Sequence, residues 1–519
     1  MLTLAVLSGP WPRLGVIAAA LLVGAAILSR SDVRRAWAML GAILLAPVLL
    51  LDDVWHSSQF AFVHHHHLES AAGALVALAV LAAAAVVLHR WPLLVPLLVM
   101  ITLPFRIPIA TGGTASTGAT TSNLLVPLYL VVAAAALAWI VPTLWAHRAA
   151  RAAADPPRRP PRHLFEKLLS AYVVLYAVQA LYSTNFEKAL QNEVFFYVPF
   201  AVLLALLRDI QWSRDLLVRC LGLTSALAVI FALIGFGEEI TQTLWLNSKL
   251  MEQNQLHEYF TVNSVFFDPN IFGRYLALVM ILLVTVLLYD KRTRAQLASI
   301  VTLAVLWGCL IFTLSRSSVA ALALGMAVLA ALRWRAKPVL YLAAVVIVVG
   351  AVAVATHPTR FGLNQGLNGA SHGRGNLVTN GIKLFGERPL QGWGSGSFTT
   401  EYKRQFQLAA RAVSDSHNIP VTVASEQGLI GLALYVALVI AAIVTLLRGA
   451  RGDPFRVGII AAFLALLLHT MLYAAFLEDP LTWALLGVGG ALAAAARVTE
   501  SEPEPASGRF RHRLLRIRA

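Results

Sequence analysis

The sequence predicts an all-α polytopic membrane protein of about 12–15 transmembrane helices with a large extracytoplasmic loop domain. The 519 residues are 58% hydrophobic and only 13% charged, with a mean hydropathy of +0.72. Soluble domains carry about 25% charged residues, so a soluble fold could not hide this much apolar surface. Apolar runs recur along the whole chain, and each has roughly the 20 residues that a helix needs to cross a bilayer.

We count about fifteen candidate spans. The first, "LGVIAAALLVGAAIL", is followed by Ser-Arg-Ser-Asp rather than a small-residue cleavage site, which indicates a retained anchor. The predicted spans lie near 13–29, 36–51, 70–88, 91–105, 124–145, 168–183, 193–207, 216–237, 271–289, 297–314, 318–332, 338–356, 427–447, 457–475 and 481–496.

The cations alternate from one loop to the next. Eight basic segments, from "SRSDVRR" to the tail after Arg497, hold 28 of the 41 Lys and Arg residues. The short loops between them hold three, Arg106, Lys188 and Lys249. Because Lys and Arg are retained on the cytoplasmic side, we expect a multi-pass protein of the cytoplasmic membrane, with its N-terminus outside and its C-terminus cytoplasmic. This distribution favours a membrane protein over a nucleic-acid-binding one, despite the net charge of +15.

A Pro- and Arg-rich linker, residues 147–167, divides the chain into an N-terminal and a C-terminal part. Both the linker and the basic tail are expected to touch anionic membrane lipids. The predicted division is 1–146 for the N-terminal transmembrane helices, 147–167 for the basic cytoplasmic linker, 168–356 for a transmembrane core with an outer loop at 238–270, 357–426 for the large extracytoplasmic catalytic loop, 427–496 for the C-terminal transmembrane helices and 497–519 for the basic cytoplasmic tail.

The large outer loop carries seven Lys and Arg residues against four acidic ones, a net charge of +3. One explanation is that loops longer than about 60 residues escape the positive-inside bias. The other is a cationic surface that receives an anionic group at the outer leaflet. A phosphate or diphosphate headgroup fits best, because guanidinium groups bind its oxygens bidentately.

Two further arginines lie next to predicted hydrocarbon. Arg274 follows Asn270 by about one helical turn, and Arg316 interrupts the apolar stretch "FTLSRSSVAAL". A cation at this depth costs a few kcal/mol and marks either a function or a side chain that reaches the interface. The predicted topology puts both arginines on the same outer face as the cationic loop.

Other residues carry weaker signals. Gly392, Gly394 and Gly396 surround Trp393 and allow close backbone approach or a tight reversal. Asp268-Pro269-Asn270 reads as a turn that begins the ninth span. The run 64–67 of four histidines lacks helical metal-ligand spacing, and Cys220 and Cys309 lie in apolar runs, so no metal site or disulfide framework is predicted.

His417 could act near neutral pH as a base, an acid or a phosphate partner, although a lone histidine is more often a hydrogen-bonded interfacial residue. His417-Asn418, nine residues and then Gly428-Leu-Ile-Gly431 form a longer pattern. It occurs with "TLSRSS", "FFDPNIFGRYLAL" and "GRGNLVTNGIKLFGERPLQGWGSGSF" over roughly the C-terminal 300 residues. In these four segments the chain resembles the superfamily of O-antigen ligases, O-antigen polymerases and pilin-glycosylating oligosaccharyltransferases.

The resemblance implies a helix bundle of the GT-C class and a glycosyltransferase that needs no metal and no cofactor. It implies a polyprenyl-diphosphate-linked glycan as donor and a lipid or glycan hydroxyl as acceptor on the outer face. His417 and Arg316 would be catalytic. The residues expected to bind the diphosphate are Arg274, Arg374, Arg388 and Asn418. The family commonly has an arginine before the Pro269-Asn270 turn, where this chain has none, and Arg274 would substitute for it.

The acceptor decides between a ligase and a polymerase, and the complete His417 pattern favours a ligase. Gly428 and Gly431 would let their helix pack closely below the histidine. A flippase or transporter for a lipid-linked sugar is the alternative from another class. Transporters place ionisable residues near the midplane, whereas here no Asp or Glu falls in the middle of a predicted span. A noncatalytic scaffold would tolerate changes at His417 and Arg316.

Overall fold

The structure is a computed structural model. It describes residues 10–55, 66–111, 120–149, 163–246, 251, 260–339, 341–342, 344–345, 348, 356, 374–406, 416–473 and 475–501.

In its described residues, the N-terminal part contains five helices and one hairpin. Their bounds are α1 (Trp11–Leu28), α2 (Asp32–Trp55), α3 (His67–Arg90), α4 (Leu94–Thr102), β1 (Ile107–Thr111), β2 (Thr120–Leu124) and α5 (Val126–Ala149). The two strands pair antiparallel, with Ile107 opposite Leu124.

The C-terminal part is helical in its described residues. It comprises α6 (Leu164–Ala180), α7 (Phe186–Asn192), a π-helical segment (Glu193–Tyr197), α8 (Val198–Asp209), α9 (Arg214–Thr241), α10 (Pro269–Tyr289), α11 (Thr293–Phe312), α12 (Arg316–Arg333), α13 (Arg374–Glu387), α14 (Phe398–Phe406), α15 (Ile419–Leu447), α16 (Pro454–Leu472) and α17 (Pro480–Ser501).

The described residues contain eleven helical segments long and apolar enough to cross a membrane. The predicted all-α polytopic membrane fold is confirmed. The fourth predicted span, 91–105, is wrong in extent, because α4 has only nine residues. At about 1.5 Å per residue α4 covers about 14 Å of a hydrocarbon core about 30 Å thick. Pro104 follows α4 closely and cannot continue the helix hydrogen bonding, and the chain then forms the hairpin.

Two helices begin earlier in the structure than the sequence predicts. The span predicted at 193–207 begins at Phe186, so Glu193 lies well inside it rather than at its end, and the expectation of no acidic residue in the middle of a span fails at this position. The helix predicted at 427–447 begins at Ile419, directly after the His417-Asn418 pair. Pro420 in the first turn explains this early start, because proline is favoured there.

Several predicted features lie wholly or largely outside the described residues. They are most of the span 338–356, residues 357–373 and 407–415 of the large loop, most of 247–259, the linker from 150 to 162, the tail after 501 and two of the four consecutive histidines.

Helix α16 lies between two apolar cores. Ile459, Ile460 and Phe463 pack into a core with α1, α2, α6, α8, α15 and α17. Val457 and Leu466 pack into a second core with α9, α10, α11 and α12. The two ends of α16 are therefore fixed relative to both halves of the bundle.

One end of the bundle is held by buried ion pairs. Arg208 Nε donates to Glu166 Oε1 at 2.9 Å, and both side chains are at most 4% exposed. Arg35 pairs with Asp209, and His163 Nε2 lies 3.1 Å from the Gly490 carbonyl. These residues come from helix ends that the charge pattern predicts to be cytoplasmic.

Replacing Arg208 with alanine should destabilise the protein by about 3–5 kcal/mol, because it leaves the buried Glu166 carboxylate without its cation. Thermal unfolding of the purified protein in detergent measures the change. The control is Arg292→Ala, which removes an ion pair with Asp290 whose arginine side chain is 70% exposed. If Arg208→Ala lowers the free energy of unfolding by no more than the control does, the buried Arg208–Glu166 pair does not stabilise the fold as predicted.

Candidate functional site

The start of α15 is shaped by the pair His417-Asn418. Asn418 caps the helix, since its side-chain oxygen accepts from the Val421 backbone N–H at 3.2 Å. His417 has φ of 56°, which is uncommon outside glycine, and it makes the chain turn sharply into the helix. Asn418 Nδ2 donates to the Met471 carbonyl at 3.1 Å, which joins this turn to the end of α16.

Tyr473, just after α16, connects the histidine turn to α10. Its ring lies 5.7 Å from the His417 ring and 5.9 Å from the His469 ring, between centroids. Its hydroxyl donates to Asp268 Oδ2 at 2.6 Å. The other oxygen of Asp268 caps α10 by accepting from the Asn270 backbone N–H at 2.7 Å. One tyrosine therefore links the ends of three helices.

A cluster of serines attaches α12 to the same place. Ser315 caps α12, and its hydroxyl donates to Asn270 Oδ1 at 2.9 Å. Ser317 and Ser318 each lie 3.2 Å from Nε2 of the fully buried His469. The motif "TLSRSS" therefore supplies hydroxyls that hold α10, α12 and α16 together.

Arg274 is buried one turn into α10. Its Nη2 lies 2.6 Å from Asp479 Oδ2, and both side chains are at most 3% exposed. Asp479 also caps α17, because its Oδ1 accepts from the Leu481 backbone N–H at 2.8 Å. Within the described part of the chain, Nε and Nη1 of Arg274 have no hydrogen-bond acceptor. A buried guanidinium with unused donors is suited to a ligand that supplies anionic oxygens.

The first turns of α10, α12, α15 and α17 meet at this one place through the contacts above. Each helix N-terminus carries roughly half a positive charge, which favours bound anions, although a capping side chain already binds one or two of its N–H groups. The charges of Arg274 and Asp479 cancel each other. The attraction for an anion therefore comes from the helix ends and from a further cation.

That further cation is Arg106, which precedes β1. It interacts electrostatically with Asp479, Arg274, Tyr129 and Tyr473. Burial lowers the pKa of the Arg106 guanidinium from its ordinary value, Asp479 acts in the opposite direction, and Arg274 lowers it further. The N-terminal part of the chain thus reaches the site.

Helix α15 is interrupted beneath His417. Gly428 has φ of 65° and ψ of −163°, a conformation essentially restricted to glycine. The outer segment 389–394 pairs with this break: the Leu429 N–H donates to the Pro389 carbonyl at 2.7 Å, and the Gly394 N–H donates to the Glu426 carbonyl at 2.8 Å. Gly428 therefore serves to join the outer segment to the helix, in addition to any helix packing.

Glu426 holds the same segment from its other side. Its two carboxylate oxygens accept from the backbone N–H groups of Gly396 at 2.9 Å and Phe398 at 3.0 Å. Phe398 begins α14 and packs in a small core with Leu384, Trp393 and Tyr402. The glycines around Trp393 thus allow close backbone approach, but to this chain's own α15 and α6–α7 region.

The predicted site residues fall into three groups. His417, Asn418 and Arg274 come together around Tyr473. Arg388 lies elsewhere, with its guanidinium carbon 3.9 Å from the centroid of the Trp393 ring. Arg316, the first residue of α12, is exposed, and Arg374 begins α13 with a side chain outside the described residues. The assignments of Arg316 to catalysis and of Arg374 and Arg388 to diphosphate binding stay predictions.

Gly431 makes room for a side chain. A Cβ at this position would lie 2.4 Å from Gln427 Oε1. The second glycine of the motif therefore admits the Gln427 amide alongside the helix.

Sequence reasoning missed Tyr473, Asp479, Arg106 and Glu426. The dipeptides Asp268-Pro269 and Asp479-Pro480 are both helix-start signals and could have pointed to Asp479. Tyr473 carries no local signal, because it acts through residues far away in the chain. Among the described residues, no three side chains of His, Cys, Asp or Glu lie close enough together to hold a metal ion.

Residues 301–436 match the family model described as O-antigen ligase. The matched segment runs from α11 to the middle of α15 and contains Arg316, His417, Asn418, Gly428 and Gly431. This match supports the predicted resemblance to the O-antigen ligase superfamily. The family is one of glycosyltransferase-type enzymes of polysaccharide assembly. No curated protein matches the chain.

Replacing Gly428 with alanine should destabilise the protein by about 1–3 kcal/mol or more, because alanine is strained in this conformation. Its Cβ would also lie 2.3 Å from the Leu390 carbonyl oxygen. Thermal unfolding in detergent measures the loss. Gly73→Ala is the matched control, since a Cβ there meets nothing within 4 Å. Equal stability of the two variants would show that the backbone conformation at Gly428 does not require glycine.

Proposed function

From the match of residues 301–436 to the O-antigen ligase family model, we propose that the protein transfers a glycan from a polyprenyl diphosphate to an acceptor hydroxyl. The transfer would take place on the outer face of the cytoplasmic membrane, in the assembly of a surface polysaccharide. The observation that carries this proposal is the buried Arg274, with unused donors, at a junction of four helix N-termini beside His417.

An apolar cavity next to this junction supports a lipid-linked donor. The cavity measures about 490 Å³ and lies among α9, α10, α11, α16 and α17. Leu103, Tyr275 and Leu481 line it and neighbour Arg106, Arg274 and Asp479 in the chain. A donor with a charged head and an isoprenoid tail would place the diphosphate at the arginines and its tail in this cavity.

The chemistry needs a place for charge to develop. When the glycosidic bond to the diphosphate breaks, negative charge grows on the leaving oxygen. Donors fixed in advance at that position stabilise it most effectively. His417 contacts Tyr473, whose hydroxyl is bound to Asp268, and this supports a role for the histidine beside the diphosphate. We assign His417 and Arg316 to catalysis, and Arg274, Arg374, Arg388 and Asn418 to the diphosphate.

The acceptor remains to be identified, so a polymerase of the same superfamily is the nearest alternative to a ligase. A flippase for the same lipid is the alternative from another class. Glu193 is the observation that favours the flippase. Its side chain is fully buried inside a membrane-crossing helix, and neither carboxyl oxygen has a hydrogen-bond partner among the described residues. Transporters place ionisable groups in such positions.

Reconstitution with a polyprenyl-diphosphate-linked oligosaccharide and candidate acceptors tests the function. Wild-type protein should release free polyprenyl diphosphate. His417→Ala should lower the rate by about 10²–10⁴-fold if it acts on a proton, and Arg316→Ala by about 10²–10³-fold if it stabilises charge. The control is Arg90→Ala, an exposed arginine at the end of α3.

Transfer to the lipid-anchored acceptor alone indicates a ligase, and growth of the donor glycan indicates a polymerase. Movement of intact lipid without release of the glycan would favour the flippase. Unaltered turnover in both the His417 and Arg316 variants would refute the assignment of these two residues to catalysis.

A further inference from the structure

A second cavity of about 50 Å³ adjoins the first two turns of α15, with Thr422 and Glu426 in its wall. Tyr176, Asn192, Glu426, Gln427, Tyr435 and Glu478 are among the residues that line it. It also touches Lys188, which is exposed, so the cavity reaches the surface there. We propose that this cavity receives the acceptor hydroxyl and that Glu478 takes up its proton.

The polar atoms of the cavity lack partners. Asn192 Oδ1, Gln427 Oε1 and Tyr435 Oη are buried and, among the described residues, have no hydrogen-bond partner. Each such atom costs about 1–3 kcal/mol when it is left unsatisfied. Two of the three are acceptors that need an O–H or N–H donor. The volume suffices for a hydroxyl group and a water molecule, since one water needs about 10–15 Å³.

The π-helical segment builds one wall of this cavity. Its hydrogen bonds join residues five apart, as between the Val198 N–H and the Glu193 carbonyl. Asn192 and Tyr197, also five apart, both line the cavity. Gly431 contributes by leaving space for the Gln427 amide. The second glycine of the family motif and the π segment thus act on the same cavity.

Of the two carboxylates that line the cavity, Glu478 makes fewer hydrogen bonds and can accept further ones. Glu426 uses both oxygens to bind the backbone of the outer segment. Glu478 Oε1 accepts from Asn192 Nδ2 at 3.2 Å, the sole hydrogen bond of Glu478 among the described residues. The adjacent Asp479 faces Arg274 instead. Two successive acidic residues therefore have different surroundings: Glu478 lines the cavity, and Asp479 pairs with Arg274.

This inference rests on the proposed glycosyl transfer. The acceptor oxygen forms a bond to the anomeric carbon, and the bond from that carbon to the diphosphate oxygen breaks. The electron pair of the broken bond leaves with the diphosphate, beside Arg274. The proton of the acceptor moves to the Glu478 carboxylate and passes from there to water. In this scheme Glu478 rather than His417 is the base, and His417, next to Tyr473, contacts the diphosphate.

Glu478→Gln tests this role, because glutamine keeps the size and the bond to Asn192 but cannot take up the proton. In the reconstituted system the transfer rate should fall by about 10²–10⁴-fold. The affinity for undecaprenyl diphosphate, measured by competition, should stay within about twofold. Glu478→Asp should restore part of the rate, and Glu69→Gln, on the exposed start of α3, is the control.

A binding measurement separates this inference from the proposed function. Octyl β-glucoside, a membrane-soluble carrier of sugar hydroxyls, should bind wild-type protein saturably, and Glu478→Gln and Tyr435→Phe should each weaken it at least tenfold. Three results would overturn the inference. They are a wild-type transfer rate in Glu478→Gln, a loss of diphosphate affinity in Glu478→Gln as large as its loss of rate, and glucoside binding that neither substitution changes. Absence of polyprenyl diphosphate release by the wild type would refute the function instead.

Discussion

The hydrogen bond from the Tyr473 hydroxyl to Asp268 is the contact on which the junction of α10, α15 and α17 depends. Asp268 fixes the first turn of α10, and α10 carries Arg274 to Asp479. The ring of Tyr473 packs against His417 at the start of α15. A single aromatic residue between two helices therefore sets the spacing of the histidine, the buried arginine and the caps of α10 and α17.

The acidic residues of the junction are used as helix caps or ion-pair partners. Asp268 binds first-turn N–H groups of α10, and Asp479 binds one of α17 and pairs with Arg274. The remaining positive charge comes from Arg106 and from the partial charges of the helix ends. Helices that begin on one face must alternate with helices that end there. The four that begin at this junction, α10, α12, α15 and α17, are held together by α16, whose end carries His469 next to Tyr473.

The sequence was a good guide to features that depend on local pattern. Apolar runs located most spans, and the motif spacing located His417, Asn418 and Arg274 in one region. It was a poor guide where tertiary contacts decide the outcome. Arg388 carries the expected charge but stacks on Trp393. Arg106 looked like an isolated loop cation, yet it lies within electrostatic reach of Asp479 because the hairpin brings it there. Glu193 was placed at a helix end because nothing local marks the π segment.

The break in α15 has a consequence for how the protein is made. Lipid offers no hydrogen bonds, so an interrupted helix at membrane depth needs its free backbone groups satisfied by protein. Residues 389–394 supply these bonds, and they precede the break by about 36 residues in the chain. The partner of the break is therefore synthesised before the break itself. Helix α15 can complete its backbone pairing as it enters the bilayer, with no need for residues that have yet to be translated.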